Sequence, residues 1–142
     1  MRITLGIVCV VVGSWAWIGQ LITSFDYRLA GKLKLQDPVE TIDPIYQRAE
    51  TYTARWDVFI LWTLLATGIL LLVNHPWWPY LGLITAGIHL DASREIAKYK
   101  TFKAEGIRIG TETYQKYAIG TFVMLTAISI WLIIYAISTL SR

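Results

Sequence analysis

Charge is scarce in this chain, and so are soft metal ligands. Only 16% of the 142 residues are charged, where soluble domains carry about 25%. The single cysteine, Cys9, excludes an intramolecular disulfide and any C-x-x-C pair. The two histidines, His75 and His89, lie 14 positions apart, about 20 Å along a helix. They form no H-x-x-x-H or Glu-x-x-His arrangement and cannot clamp one haem within a protomer. No metal site is expected, and no cofactor is indicated. "GIRIGTETYQK" offers two glycines before a helix start but no G-x-x-x-x-G-K-[ST] phosphate loop. Ser93, His89 and Asp91 could be written as a triad. They share one helix at angles that prevent a relay.

What the chain has instead is long uncharged runs: Ile3–Phe25, Val58–Val73 and Ala118–Leu140, with a 14-residue stretch from Trp77 to Leu90. A hydrocarbon layer of about 30 Å needs roughly 20 helical residues. The fourth stretch spans only by continuing into "DASREIAK". The expectation is an all-α, integral membrane, up-and-down four-helix bundle. Its helices run over about 3–24, 44–73, 77–100 and 112–139. Residues 1–142 form one domain, with a cytoplasmic loop and helical extension at 26–55. Asp43 reads as an N-cap and Pro44 as the first residue of the second helix. Gly106 and Gly110 break the chain before Thr111 caps the fourth.

Eleven of the 13 Lys and Arg residues fall in segments 26–57 and 91–117. Positive residues stay on the cytoplasmic side, so this distribution predicts a multi-pass protein of the cell membrane. Both long loops are cytoplasmic and both termini lie outside. The net charge of +3 reads as topology and not as affinity for nucleic acid. Trp15 and Trp17 crowd the place where a signal peptide would be cut, so the first helix is expected to be retained.

The third helix raises the functional question. From Trp77, Asp91 lies about 21 Å along a helix, inside the hydrocarbon layer unless the whole segment slides outward as a snorkelling helix end. Arg94, three residues on, is its expected partner, while Glu95 would repel it. His89 lies on a second, neutral stripe with Thr85 and Ser93, where a hydrogen-bonded packing histidine is the plainer alternative. These six residues are the candidates for binding or conducting a small polar or ionic species.

A second candidate is the cytoplasmic mouth, to which all four helices deliver arginine, mostly with tyrosine. Arg28, Arg48, Arg55 and Arg108 gather there with Asp57, Tyr99, Tyr114 and Tyr117. This set suits an anionic, partly apolar ligand such as a lipid headgroup or a glutathione-like peptide. The positive-inside rule and an aromatic belt explain the same residues without any ligand.

The long first loop, the tight "NHPWWPY" turn and the arginines at helix ends resemble, as architecture, the membrane-associated eicosanoid and glutathione metabolism family. That resemblance implies a trimeric four-helix protein with a cytoplasmic-side glutathione site. The family's second helix carries arginine, asparagine and glutamate at fixed spacing. "QRAETYTARWD" has no asparagine, and the chain's one asparagine, Asn74, is on the opposite side. No site residue is carried over. Three readings stay open: a ligand-binding or conducting membrane protein, a cytoplasm-facing enzyme or lipid binder, and an accessory subunit of a membrane complex. Membrane lipid is the expected partner, with homo-oligomers or a larger complex as the assembly.

Overall fold

The computed structural model describes residues 1–141, with Ala92 and Ser93 described only as helical backbone. The regular elements of the described residues are helices joined by loops: α1 (Arg2–Phe25), α2 (Tyr27–Lys32), α3 (Pro44–Ile60), α4 (Trp62–Leu72), α5 (Trp78–Leu90), α6 (Ala92–Ala104) and α7 (Glu112–Leu140). Three helices are long and apolar enough to cross a membrane: Arg2–Phe25, Pro44–Leu72 and Glu112–Leu140. The second of these is α3 and α4 in series. They join at Leu61, where the Leu64 amide donates to the Leu61 carbonyl at 3.2 Å.

The expected third crossing at 77–100 is not one unbroken helix. It is α5 and α6, 13 residues each, and α5 alone covers only about 20 Å. The step is at Asp91, which keeps right-handed angles (φ −64°, ψ −15°). Its amide donates to Ile88 three residues back, and its carbonyl accepts from Arg94 three residues on. The i→i−4 ladder is interrupted by a tightened turn. A carboxylate that pairs with its own Arg94 sits at that turn.

Small residues let the first two rods meet closely. Added at Gly13, a Cβ would stand 2.6 Å from the Leu65 backbone nitrogen; at Gly68 it would stand 2.7 Å from that of Val10. The outward faces are apolar, with Ile3, Ile7, Val11 and Ile18 exposed on α1 and Val123, Ile130, Ile134 and Ile137 exposed on α7. Exposed apolar faces of that length suit lipid.

Two cores stack along the bundle. Near the 73–77 turn, Leu5, Cys9, Leu64, Leu71, Ala86 and Leu132 pack together, with Trp78 stacked on Tyr135 at 5.0 Å. At the opposite, loop end, Tyr27, Ile42, Tyr46, Tyr99, Ile109 and Ala118 form an aromatic core. Here the two loops lace together. Ile42 and Ile109 form an isolated antiparallel bridge, and buried Asp37 accepts from the Thr111 amide at 2.6 Å. Gly110, at φ +98°, has no room for a Cβ because it would land on the Asp37 carboxylate.

The expected Asp43 cap takes a different form. Asp43 occupies the N-cap position of α3, but its side chain makes no capping bond. It reaches across to Arg108, accepting from the backbone amide at 2.6 Å and from the guanidinium at 3.1 and 3.2 Å. An amide 65 residues away outcompetes the local one. Thr111 does cap α7, accepting from the Tyr114 amide at 3.3 Å.

Candidate functional site

Between the two cores lies a cavity of about 420 Å³. α1 contributes Trp15, Ala16, Gly19 and Gln20 to its wall, and the α3–α4 rod contributes Glu50, Trp56, Asp57 and Leu61. α5 and α6 add His89, Asp91, Arg94, Glu95 and Tyr99, and α7 adds Tyr114, Tyr117, Ala118 and Phe122. Leu35 and Gln36 from the first loop close the loop end. They are held there by the Tyr114 hydroxyl, which donates to the Leu35 carbonyl and to Gln36 Oε1. The volume is within the roughly 300–1,000 Å³ of small-molecule sites.

The charged wall is built from α3 and α6. Tyr46, Glu50, Ala54 and Asp57 recur at spacings of four, four and three, which is one face of a helix. Tyr46, Glu50 and Ala54 are buried there. Lys98 Nζ donates to Glu50 Oε1 at 2.7 Å and also contacts the Glu95 carboxylate. Burial disfavours the Lys98 charge, but the Glu50 and Glu95 carboxylates outweigh it and hold its pKa above the ordinary lysine value. Asp57 is half-buried and makes no hydrogen bond or ion pair among the described residues. Arg94 pairs with Asp91 at 2.9 Å, and both side chains are more than half exposed.

His89 is 4% exposed. Its Nδ1 lies 2.8 Å from the Thr85 carbonyl. A carbonyl only accepts, so Nδ1 carries the proton and the neutral ring presents a lone pair at Nε2. That nitrogen is buried with no partner among the described residues. Thr85 points elsewhere, sharing a buried 3.0 Å hydroxyl contact with Thr67 of α4.

The structure thus brings His89, Asp91, Arg94 and Glu95 to one cavity with Asp57, Tyr99, Tyr114 and Tyr117. It does not bring the other arginines there. Arg28 is exposed on α2. Arg48 and Arg55 flank an outer groove of α3, Arg55 resting 5.7 Å over the Tyr52 ring. Arg108 is engaged with Asp43. The Ser93 side chain lies outside the described residues. Glu50, Lys98, Trp15 and Trp56 were missed from sequence. The signal for Glu50 was available, because it shares the helical face of Tyr46 and Asp57.

Among the described residues the architecture is that of an all-helical chain with three membrane-capable helices around an acidic, aromatic cavity. No protein-family model, curated protein or solved structure matches the chain. The likeness in layout to the four-helix glutathione-metabolism proteins therefore brings no site residues with it.

Proposed function

We propose that this protein is a multi-pass membrane protein that binds a small polar or ionic ligand in the cavity between its two cores. In this reading α5 is the fourth membrane element. It is short because the cavity, and not lipid, adjoins its end, and α6 carries the chain out to the cytoplasmic side. The basic loops set the orientation, with both termini outside. Membrane lipid covers the apolar faces of α1 and α7.

The observation that carries the reading is that every long rod sends polar or aromatic groups to one cavity, while the outer faces of α1 and α7 stay apolar. A four-helix chain with a purely structural role would fill that space with side chains, because interiors close-pack. The anionic-ligand reading loses support because four of the five loop-end arginines are outside the cavity.

The test is to fill the space. A Cβ at Gly19 would meet only Leu35, at 4.0 Å, so Gly19→Phe puts a ring into the cavity with little backbone cost. Native mass spectrometry of detergent-purified protein should show a retained small molecule in the wild type that Gly19→Phe lacks, with far-UV circular dichroism unchanged. Retention of the same mass by a folded Gly19→Phe protein would refute the proposal.

A further inference from the structure

We infer that the ligand of this cavity is an organic ammonium ion with an apolar, aromatic-compatible body; the inference rests on the cavity reading above and specifies its chemistry. Three carboxylates, of Glu50, Asp57 and Glu95, adjoin one another, with Lys98 in contact with Glu50 and Glu95 and Arg94 near Asp57. With Asp91 counted, four carboxylates face two cations, which leaves two formal negative charges on the wall. Mutual repulsion among a buried and two half-buried carboxylates is unfavourable, and a bound cation relieves it.

Two acceptors at the cavity have no partner among the described residues. Asp57 has a free carboxylate among the described residues, and His89, 96% buried, offers an unpartnered lone pair at Nε2. The ionised carboxylate and the neutral ring nitrogen both accept. A ligand that satisfies them must donate, which an ammonium does and a carboxylate or phosphate does not. The carboxylates are not grouped as a metal site among the described residues, and a bare ion would leave most of about 420 Å³ empty.

The rest of the wall suits an organic body. Trp15 meets Tyr117 edge to face at 6.0 Å, and Trp56 completes an aromatic rim. Such faces attract cations and pack against apolar groups. His89 and Glu95 are six residues apart, about 9 Å by helix rise, so the ligand has room for one polar head and a ring-sized tail.

The experiment uses the full chain in a nonionic detergent and three probes of one shape: 4-phenylbutylammonium, 4-phenylbutanol and 4-phenylbutyrate. Titration calorimetry at pH 7 should show the ammonium binding at least about tenfold more tightly than the alcohol, and the carboxylate most weakly. Asp57→Asn should weaken the ammonium by about tenfold and leave the alcohol unchanged, and Asp57→Glu should restore it. The wild-type comparison stands without any variant. If the butyrate binds as well as the ammonium, or neither binds, the cation assignment falls. If all three bind alike and Gly19→Phe abolishes all three, the cavity reading stands and the cation assignment alone is overturned. Ammonium binding that Gly19→Phe does not affect would place the cation outside the cavity and overturn the assignment.

Discussion

Replacing Gly13 by alanine adds one methyl group and pushes two helices apart. A Cβ there would stand 2.6 Å from the Leu65 nitrogen and 3.1 Å from the Leu64 carbonyl carbon, whereas ordinary contact begins at 3.4 Å. The obstacle is backbone, which cannot swing away as a side chain can. α1 must therefore retreat from α4 by about 0.8 Å. A gap of that size forfeits a quarter to a half of the dispersion energy of each contact it opens, and overpacking of this kind costs about 1–3 kcal/mol. Alanine's helix preference over glycine returns about 0.8–1 kcal/mol. Gly13→Ala and Gly68→Ala should each destabilise by up to about 2 kcal/mol net. Gly6→Ala should cost less, because its nearest obstacle is the mobile end of Leu72. Gly87 and Gly120 have nothing within 4 Å, so alanine there should stabilise by up to about 1 kcal/mol. The two classes should separate by the overpacking cost alone, about 1–3 kcal/mol, in equilibrium unfolding from mixed micelles, followed by circular dichroism. Gly13→Ala falling within about 0.5 kcal/mol of Gly120→Ala would refute the close approach.

Thr67 and Thr85 satisfy each other across α4 and α5. Either single valine variant should cost about 1–2 kcal/mol and the double variant less than the sum, in the same unfolding assay; strictly additive costs would contradict the pairing. Asp43 accepts from the Arg108 amide first and from its guanidinium second, so its pKa lies below the ordinary carboxylate value of 3.8. A depressed folded pKa means its contribution to stability is complete above the unfolded value and is lost as the pH falls through the folded one. The Arg108 amide resonance in NMR should therefore titrate below pH 3.8, and Asp43→Asn should abolish that titration; a midpoint above 3.8 would contradict the clasp.

What sequence reasoning could reach follows from how far each signal travels along the chain. Pro44, Gly106, Gly110 and Thr111 act on their own few residues, and each marks the helix boundary it suggested. Asp43 shows where locality fails. Its residue type and position specify an N-cap, and the chain folds an amide from position 108 into the place of the expected one. The step at Asp91 was hidden for a related reason. Nothing in the residue type breaks a helix there, and the angles stay right-handed; only the pairing with Arg94 and the loss of apolar surroundings mark it.

The same distinction explains the site. Periodicity placed Asp91 and His89 on separate stripes, but their depth in the bundle decides their roles. Thr85 spends its hydroxyl on Thr67 and its carbonyl on His89 Nδ1, so between the two described side chains of the neutral stripe His89 Nε2 is left. The charged stripe runs the other way. Asp91 and Arg94 neutralise each other at the exposed rim, while Glu95 and Lys98, one turn on, meet Glu50 from α3. Sequence separation of 48 residues kept that meeting out of reach. Read alone, α3 looks balanced, α5 apolar and α6 basic, and the excess of carboxylates appears only where they converge. The chemistry of the cavity is a property of the packing, with residues whose individual patterns specify nothing more than membrane and loop.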